Sequence, residues 1–293
     1  MRGRIIQSLS GFYDVQVDND EIIRTKPRGL FRKDNNKPLV GDWVDVEVGE
    51  TGEATLTKIA PRKNELIRPL VANVDIALIV VSVKHPDFSS ILLDRFLVYL
   101  EMQNIQGVII FTKEDLLSED EQSRMKEYKK HYQSIGYEVI SNQPNELSDL
   151  FKRYTQKIFI LMGQTGAGKS TLLNRLIPEL ELETQEISKS LNRGKHTTRA
   201  VKLYPYEKVL IADTPGFSAI QLPFMDVMDL ANAFIEWEDV RTQCRFKPCS
   251  HTHEPHCGVK EFVEENEFLK ERYNHYLNFL EELKNQKPHY ERK

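Results

Sequence analysis

Near the middle of the chain stands the sequence Gly163-Gln164-Thr165-Gly166-Ala167-Gly168-Lys169-Ser170. It follows an apolar run, Ile158 to Leu161, and opens a helical stretch from Ser170 to Leu176. Glycines at these positions let backbone N–H groups wrap a phosphate chain, and the helix N-terminus adds a positive dipole. We expect Lys169 to reach the β- and γ-phosphates and the Ser170 hydroxyl to bind magnesium. The sequence therefore predicts a nucleotide-binding α/β domain.

A second phosphate-side motif, Asp213-Thr214-Pro215-Gly216, ends the apolar run Val209 to Ala212. An aspartate there can hold magnesium through water, and the Gly216 N–H can meet the γ-phosphate. A plain Pro-Gly turn is the alternative. The position of the motif relative to the phosphate loop favours the magnesium role.

The segment between these motifs, Lys189 to Arg199, contains no acidic residue and is typical of a switch. A threonine here can complete the magnesium shell only when a γ-phosphate is present. We assign this role to Thr198, with Thr197 as the alternate. A solvated basic loop is the other interpretation.

The candidate base-reading segment, Thr112-Lys113-Glu114-Asp115, lies at the end of the apolar run Gly107 to Phe111. The Asp115 carboxylate can accept from both N1–H and the N2 amino group of guanine. Adenine lacks the N2 amino group and has an acceptor at N1, so this carboxylate would reject ATP. The Lys113 stem can pack along the base, and Ser141 begins a candidate second loop beside it. A surface charge pair is the alternative.

The order of these motifs is unusual. Lys113-x-Asp115 is the only Lys-x-Asp in the chain, and it precedes the phosphate loop. In an ordinary small GTPase the phosphate loop comes first, so either this chain does not read guanine or its domain is circularly permuted. A parallel sheet tolerates permutation, since its ligands bind where strands end. The permuted cut would place Asp213-x-x-Gly216 directly before the C-terminal helices, and we expect its movement to reach them.

The two ends of the chain have different patterns. Short strand-like runs with period-two alternation, such as Asp42 to Val48, predict a small closed barrel of the OB type at the N-terminus. Pro61 and Pro69 flank a predicted linker. Five apolar runs follow and predict the strands of a parallel sheet: 75–83, 107–111, 137–140, 157–162 and 208–212. Helical spacing returns after Phe224, where Leu230, Phe234 and Trp237 suggest one helix. We divide the chain into an OB-fold RNA-binding barrel (1–67), a circularly permuted P-loop GTPase domain (68–225) and a helical zinc-binding domain (226–293). The fold class is thus multi-domain α/β.

The three cysteines of the chain lie close together in Cys244-x4-Cys249-x-His251-x5-Cys257. Three thiolates and an imidazole form the ligand set of a closed tetrahedral zinc site, which stabilises structure and does not catalyse. Unligated thiols in a His-rich loop are the alternative.

The permuted order, the barrel, the Cys/His cluster and Gly194-x-His196-Thr197-Thr198 together resemble one family. It is the RsgA-type circularly permuted GTPases, which assist late maturation of the small ribosomal subunit. The resemblance implies GTP hydrolysis stimulated by the small subunit, with that subunit and its rRNA as partners. It also implies one structural zinc ion, and magnesium bound with GTP.

The resemblance implies a set of site residues as well. The implied magnesium ligands are Ser170, Thr198 and Asp213. The implied catalytic residues are His196, Lys169 and Thr198. His196 is the candidate for orienting water because Phe217 stands where many GTPases keep a glutamine; contact with phosphate or RNA is its alternative. Thr112 replaces the usual asparagine. The GTP-binding set is Thr112, Lys113, Asp115, Ser141, Gly163, Gln164, Thr165, Gly166, Ala167, Gly168, Lys169, Ser170, Thr171, Asp213 and Gly216.

A basic segment of the barrel is the candidate RNA contact, and we place it in a loop. Its side chains could bind the RNA backbone, and its phenylalanine could stack on a base. A solvated charged loop is the alternative. The predicted contacts are Arg24, Lys26, Arg28, Phe31, Arg32 and Lys33.

Composition limits the remaining choices. The net charge of −4 argues against a protein that coats nucleic acid uniformly. No apolar run approaches membrane-spanning length and no signal-peptide core is present, so we expect a cytoplasmic monomer without a membrane partner. Two other functions stay open: a nucleotide-gated RNA-binding module with negligible catalysis, and a P-loop ATPase or small-molecule kinase.

Overall fold

The computed structural model describes residues 1–17, 21–32, 37–50, 52–67, 69–180, 201–213 and 220–286, without the side chains of Leu30, Arg32, Glu179 and Asp213. Within these residues a closed barrel, an α/β sheet and a helical module follow one another, which confirms the predicted fold class. In the same ranges, no helix combines the length and low charge that a bilayer-spanning segment requires.

Five strands form the barrel: β1 (Arg2–Leu9), β2 (Phe12–Gln16), β3 (Ile22–Pro27), β4 (Trp43–Val48) and β5 (Ala54–Ile59). Because β1 pairs with both β2 and β4, the sheet closes in the order β1-β2-β3-β5-β4. Alternation supplies its core: Val44 and Val46 are buried, while Asp45 between them is exposed.

The first half of the basic segment is a strand where the sequence suggested a loop, and Gly29–Arg32 in its second half form a 3-10 turn. Arg24 to Pro27 make up most of β3, and Arg24 lies opposite Asp14 of β2. Thr25 is buried and donates its hydroxyl proton to the Tyr13 carbonyl at 3.0 Å. The segment alternates between inward Thr25 and outward cations, and the high charge hides this period in the sequence.

A hairpin occupies the predicted linker between Pro61 and Pro69. Its strands are β6 (Glu65–Ile67) and β7 (Leu70–Ala72), and the domain boundary that we place at residue 67 falls within it. Asn73 donates its side-chain amide to the Gly41 carbonyl of the barrel at 3.1 Å. The connection between barrel and sheet is therefore ordered by buried hydrogen bonds.

The central sheet contains the five predicted strands, all parallel: β8 (Ile76–Ser82), β9 (Gln106–Thr112), β10 (Glu138–Ser141), β11 (Ile158–Met162) and β13 (Val209–Asp213). An antiparallel strand, β12 (Lys202–Tyr206), was not predicted. The order is β10-β9-β8-β11-β13-β12. β12 also pairs with β1 of the barrel, Lys202 opposite Gln7, so barrel and sheet are continuous.

Helices cover both faces of this sheet, as its apolar strands require. They are α1 (Ser90–Met102), α2 (Glu119–Ser134), α3 (Pro144–Lys152) and α4 (Lys169–Leu176). α3 and α4 pack against one face of the sheet and form a hydrophobic core with the alternate residues of β8 on that face. α1 and α2 belong to the core on the opposite face. α2 begins with a capping box in which Ser118 and Glu121 satisfy each other's backbone N–H groups.

The C-terminal module contains α5 (Val227–Asn232), α6 (Gly258–Val263) and α7 (Glu267–Asn285), with the Cys/His loop before α6. Its helical character is confirmed. Phe234 and Trp237, whose spacing suggested one helix with Leu230, lie beyond the end of α5, and Trp237 closes a separate 3-10 turn. Stacking of Phe234 on Trp237 at 4.6 Å stabilises this break.

A buried charge network joins the module to the sheet domain. Arg272 of α7 binds Asp94 of α1 and donates to Glu236 at 2.7 and 3.1 Å. Tyr132 of α2 donates to Asp94 at 2.9 Å, and the ring of His275 contacts the same carboxylate at 2.6 Å. Burial lowers the pKa of Arg272, but the two carboxylates outweigh it and hold that pKa well above its ordinary value. The module therefore packs on the α1–α2 face.

Candidate nucleotide site and metal cluster

The predicted nucleotide residues meet at one edge of the sheet. Since the five parallel strands are consecutive neighbours, their carboxyl ends lie side by side. The phosphate loop follows β11, the base-reading segment follows β9, and Ser141 ends β10. Asp213 ends β13 on the other side of the phosphate loop. The sequence order is permuted, but the spatial order is that of a single nucleotide cleft.

Glycines make the phosphate loop possible. Gly163 has φ 141°, and a Cβ there would lie 2.1 Å from the Val80 carbonyl oxygen. Gly168 has φ 97° and forms the N-cap of α4. Both positions exclude a larger residue, one by its close approach to β8 and one by its left-handed conformation. The loop thus places the N-terminus of α4 at the sheet edge, where it can bind an anion.

Lys169 carries the charge of this loop. Its ammonium group donates to the carbonyls of Gly163 and Gln164, each at 2.6 Å. Burial lowers the pKa of Lys169 to about 8. A phosphate in the loop would supply the opposite charge that the buried ammonium lacks, which fits the predicted role of this lysine.

The base-reading segment is tied directly to the phosphate loop. Thr112 is buried and donates its hydroxyl proton to the Ala167 carbonyl at 2.7 Å. The next residue, Lys113, donates to the Gly166 carbonyl at 2.8 Å and to the carbonyl of His85 after β8. Two consecutive side chains of one motif therefore hold two consecutive carbonyls of the other.

Asp115 and Ser141, the other two residues predicted beside the base, lie at the ends of the neighbouring strands β9 and β10. Asp115 lies exposed in the 3-10 turn Glu114–Leu116, with its carboxylate open to solvent. The backbone N–H and the hydroxyl of Ser141 donate to Glu146 at 2.8 and 2.6 Å. These hydrogen bonds lower the pKa of Glu146 and fix the start of the loop after β10.

Several predicted residues lie outside the description. The switch candidates His196 and Thr198 belong to residues 181–200, and Gly216 belongs to residues 214–219. Of Asp213 only the backbone is described, paired with Lys202 at the end of β13. Their roles stay predictions. Ser170 and Thr171 lie in the first turn of α4, the first half-buried and the second exposed.

The Cys/His cluster forms as predicted. The four ligand atoms of Cys244, Cys249, His251 and Cys257 all lie within 4.8 Å of one another. Sγ of Cys257 is 3.8 Å from Sγ of Cys244 and 3.8 Å from Sγ of Cys249, and 3.3 Å from Nδ1 of His251. Ligands about 2.3 Å from a tetrahedral centre would stand about 3.8 Å apart. The cluster therefore has the size that a metal ion of the zinc type requires.

The electrostatics of the cluster favour a cation too. Burial raises the pKa of Cys249 to about 12, and it also raises the pKa of Cys257. Burial lowers the pKa of His251, so its ring is neutral and Nδ1 can be a ligand. Nε2 of His251 is buried and has no hydrogen-bond partner among the described residues. A bound metal would draw protons from the thiols and supply the missing charge.

Two family models match the chain: the RsgA N-terminal domain over residues 2–56 and the RsgA GTPase over residues 59–223. The second match alone spans more than half of the sequence. The chain belongs to the RsgA GTPase family.

Curated relatives and solved structures agree with this membership. The RsgA-family chain is 49 % identical over 291 residues to Small ribosomal subunit biogenesis GTPase RsgA 2 of Oceanobacillus iheyensis, which covers 98 % of this chain and 99 % of the relative. It is 46 % identical over 292 residues to Small ribosomal subunit biogenesis GTPase RsgA of Streptococcus pneumoniae serotype 4, covering 100 % and 98 %.

Among solved structures, YloQ, described as a circularly permuted GTPase, has a TM-score of 0.83 and 38 % identity, covering 99 % of this chain and 96 % of its own. YjeQ from Thermotoga maritima has a TM-score of 0.83 and 33 % identity, covering 98 % and 99 %. The predicted permuted architecture is therefore confirmed.

In this RsgA-family chain three of the five predicted RNA-binding cations have described side chains, and each of the three forms an ion pair. Arg24 pairs with Asp14 at 2.8 Å, Arg28 with Glu47 at 3.0 Å, and Lys26 with Glu53 at 3.5 Å. Phe31 is half-buried and packs against the core. The side chain of Arg32 and the whole of Lys33 lie outside the described residues.

The barrel offers an aromatic ring that the sequence argument overlooked. Phe12 is 37 % exposed at the β1–β2 hairpin, and the Lys26 ammonium lies 5.6 Å from the centre of its ring. Leu9 is exposed beside it. The signal in the sequence is the turn Ser10-Gly11, which places the flanking Leu9 and Phe12 at a hairpin tip.

Proposed function

We propose that this chain is a GTP hydrolase that binds the small ribosomal subunit and couples hydrolysis to its late maturation. One observation carries the nucleotide part: Thr112 and Lys113 are hydrogen-bonded to the phosphate loop, so the base and phosphate motifs form one cleft. Membership of the RsgA GTPase family supports hydrolysis. The small ribosomal subunit and the biogenesis role come from the names of the relatives.

The phosphate side of the cleft works through charge and position. Lys169 would exchange its two carbonyl contacts for oxygens of the β- and γ-phosphates. Ser170, Thr198 and Asp213 offer the oxygen donors that a magnesium ion prefers, and such an ion neutralises charge on the transferred phosphoryl group. The start of α4 directs further N–H groups toward the same place.

Base selection rests on Asp115. An ionised carboxylate only accepts hydrogen bonds, which suits N1–H and the N2 amino group of guanine. Asp115 is exposed in the free protein, so a bound base would shield its carboxylate from water. A base without the matching donors would leave the shielded carboxylate oxygens unpaired, which weakens binding. Ser141, held by Glu146, would border the base on the β10 side.

Water activation is assigned to His196, in the predicted switch, because Phe217 replaces the usual glutamine. A neutral imidazole can accept a hydrogen bond from the attacking water, and Thr198 on the same segment would respond to the γ-phosphate. Stimulation by the small subunit would then consist of placing His196 beside the attacking water.

The Cys/His cluster would hold one structural zinc ion. Three sulfurs and one imidazole fill a tetrahedral site, leaving no position for substrate. The bound metal would link the 3-10 turn Val240–Gln243 to α6, since Cys244 follows the first and Cys257 precedes the second.

Two exposed surfaces combine cations with an aromatic ring, the chemistry of unpaired RNA. One is the barrel tip with Phe12 and Lys26. The other is the loop between two metal ligands, where Phe246 is 43 % exposed and the Arg245 guanidinium lies 5.8 Å from its ring centre. Both would contact rRNA of the small subunit. The chain would then work with ribosomes in the cytoplasm. We propose that it does so as a monomer.

The deciding experiment measures GTP turnover with purified small subunits, with large subunits and with neither. We expect stimulation by small subunits only, abolished in Lys169→Ala and absent with ATP. GTP-dependent binding to the small subunit without faster turnover would instead establish a nucleotide-gated binding module. Equal turnover of ATP would establish a P-loop ATPase.

A further inference from the structure

Thr112 stands where many GTPases have asparagine at the guanine site. We propose that Thr112 is a positioning residue for the phosphate loop and does not contact the base, so that Asp115 alone among the base-reading side chains selects guanine. The inference rests on the proposed GTP site and names how its specificity is divided.

The first step concerns the hydroxyl proton of Thr112. A hydroxyl has one proton to donate. Thr112 is 6 % exposed, and its Oγ1 lies 2.7 Å from the Ala167 carbonyl and 3.4 Å from the Val81 carbonyl. Both neighbours are acceptors, so the proton is held between them, chiefly by Ala167. No proton remains for the N7 or O6 acceptors of a guanine.

The second step concerns what this hydrogen bond positions. Because a peptide unit is planar and trans, its C=O and N–H point in opposite directions. Holding the Ala167 carbonyl toward Thr112 therefore turns the Gly168 N–H away from β9. Gly168 is the N-cap of α4, the start of the anion-binding helix. Lys113 holds the Gly166 carbonyl in the same way. The hydroxyl thus acts on the phosphates through the loop.

The third step concerns the base. Asp115, as an ionised carboxylate, can accept from N1–H and N2–H but cannot bind N7 or O6. Because the Thr112 hydroxyl is bound to the Ala167 carbonyl, residues 112–115 recognise only the Watson–Crick edge of the guanine. The change in affinity on removing N7 from the base should therefore be the same whatever residue occupies position 112. The change in affinity on removing the N2 amino group should depend on Asp115.

The test is a thermodynamic cycle between residue 112 and atoms of the base. Dissociation constants are measured on the full chain for GDP, 7-deaza-GDP (no N7) and inosine diphosphate (no N2 amino group). The variants are Thr112→Val, which is nearly isosteric but lacks the hydroxyl, Thr112→Ser, which restores it, and Asp115→Asn. Titration to saturation gives the active fraction, so partial unfolding does not enter the constants.

We expect Thr112→Val to weaken GDP and 7-deaza-GDP by the same factor, about tenfold or more, because the Ala167 carbonyl loses its buried partner. Thr112→Ser should bind as the unmodified chain does. Preference for GDP over inosine diphosphate should survive Thr112→Val and collapse in Asp115→Asn.

Two results would overturn the inference. Weakening of GDP but not of 7-deaza-GDP by Thr112→Val would show that residue 112 reads N7. Unchanged GDP affinity in Thr112→Val would remove the positioning role. Failure of the proposed GTP site looks different, since Asp115→Asn would then leave the preference for GDP over inosine diphosphate intact.

Discussion

The ammonium of Lys169 is the charge to which we assign phosphate binding. Burial lowers its pKa to about 8 in the free protein. Bound phosphates favour the charged form, so the pKa rises on binding and the complex takes up a proton above that pH. Below pH 8 the lysine is already charged and affinity is level. Above pH 8 we expect nucleotide affinity to fall, at most about tenfold per pH unit.

Calorimetric titration with GDP at about pH 7 and about pH 8.5, in two buffers of different ionisation enthalpy, counts this proton. The binding enthalpy should depend on the buffer at the higher pH only. A buffer-independent enthalpy at both values would show that Lys169 is fully charged before the nucleotide arrives.

Substitutions of Phe12 and Phe31 test which of the two rings of the barrel stacks on RNA. Phe12 is exposed at the β1–β2 tip, whereas Phe31 packs against the core. We expect Phe12→Ala to weaken binding of the GTP-analogue form to small subunits by about tenfold, the worth of one stacked base, without changing barrel stability. Phe31→Ala should instead lower the melting temperature. The reverse pattern in sedimentation and melting assays would return the RNA role to Phe31.

Individual residues show how far the sequence could lead. The ends of apolar runs pointed to Gly163 and Asp115, and the ligand spacing pointed to Cys257, because glycine, carboxylate and thiol carry chemistry that depends on local spacing. The exposure of Phe12 and the core contact of Phe31 were not predicted, because the exposure of a ring depends on strand pairing across the barrel. The bond from Thr112 to Ala167 joins residues far apart in the chain, and no local pattern announces it.

Among the elements, α7 is bound to α1 by the Arg272 network, which predicts a large cost for its disruption. Arg272→Met would leave Asp94 and Glu236 buried without their partner, at a cost of about 3–5 kcal/mol in the free energy of unfolding. Lys270→Ala on the same helix removes only exposed pairs and should cost within about 1 kcal/mol. Urea unfolding of both variants measures the difference; equal costs would show that the network does not stabilise the interface.

The loop before α6 should depend on the metal that we propose for the Cys/His cluster. Chelation returns protons to the buried thiols of Cys244, Cys249 and Cys257 and leaves four donors without a common cation. The ring of Trp237 lies 5.8 Å from that of His251, so its fluorescence reports the loop. In a Trp43→Phe background, we expect a chelator to change this signal and zinc to restore it, leaving GDP affinity unaltered. An unchanged spectrum in a chain shown to be metal-free would contradict the structural role.

At the element scale the sequence predicted type better than position. All five parallel strands were predicted because buried strands between two helical layers form continuous apolar runs. β12 was missed, since Lys202 and Pro205 interrupt its apolar character, and β3 was mistaken for a loop because its outward face is cationic. The hairpin of β6 and β7 was taken for a linker. Asn64 and Asn73 fix its ends by donating to the carbonyls of Val74 and Gly41, which lie 10 and 32 residues away in the chain.

At the scale of the whole molecule, either the C-terminal module or the barrel could move when the γ-phosphate is bound. The permuted order places Asp213-x-x-Gly216 before the C-terminal module, which suggests that the switch pulls on the module. The packing suggests a different path. The module rests on α1 and α2 through the buried Arg272 network, whereas β12, which follows the predicted switch segment, pairs with β1 of the barrel.

Magnitudes favour movement of the barrel. Detaching the module would expose the rings of Phe268 and Phe279, which pack against Tyr132 of α2 and Arg95 of α1. Burial of each ring contributes about 1.5–3 kcal/mol, so the two together exceed the roughly 1–3 kcal/mol that one effector commonly transmits. We therefore expect the distance from Lys126 of α2 to Asn278 of α7 to be equal in GDP and GTP-analogue states, and the distance from Lys126 to Lys58 of β5 to change. All three positions are exposed, and spin labels attached through unnatural amino acids spare the clustered cysteines. Arg272→Met serves as the control that loosens the first distance; a nucleotide-dependent first distance without that substitution would show that the switch does pull on the module.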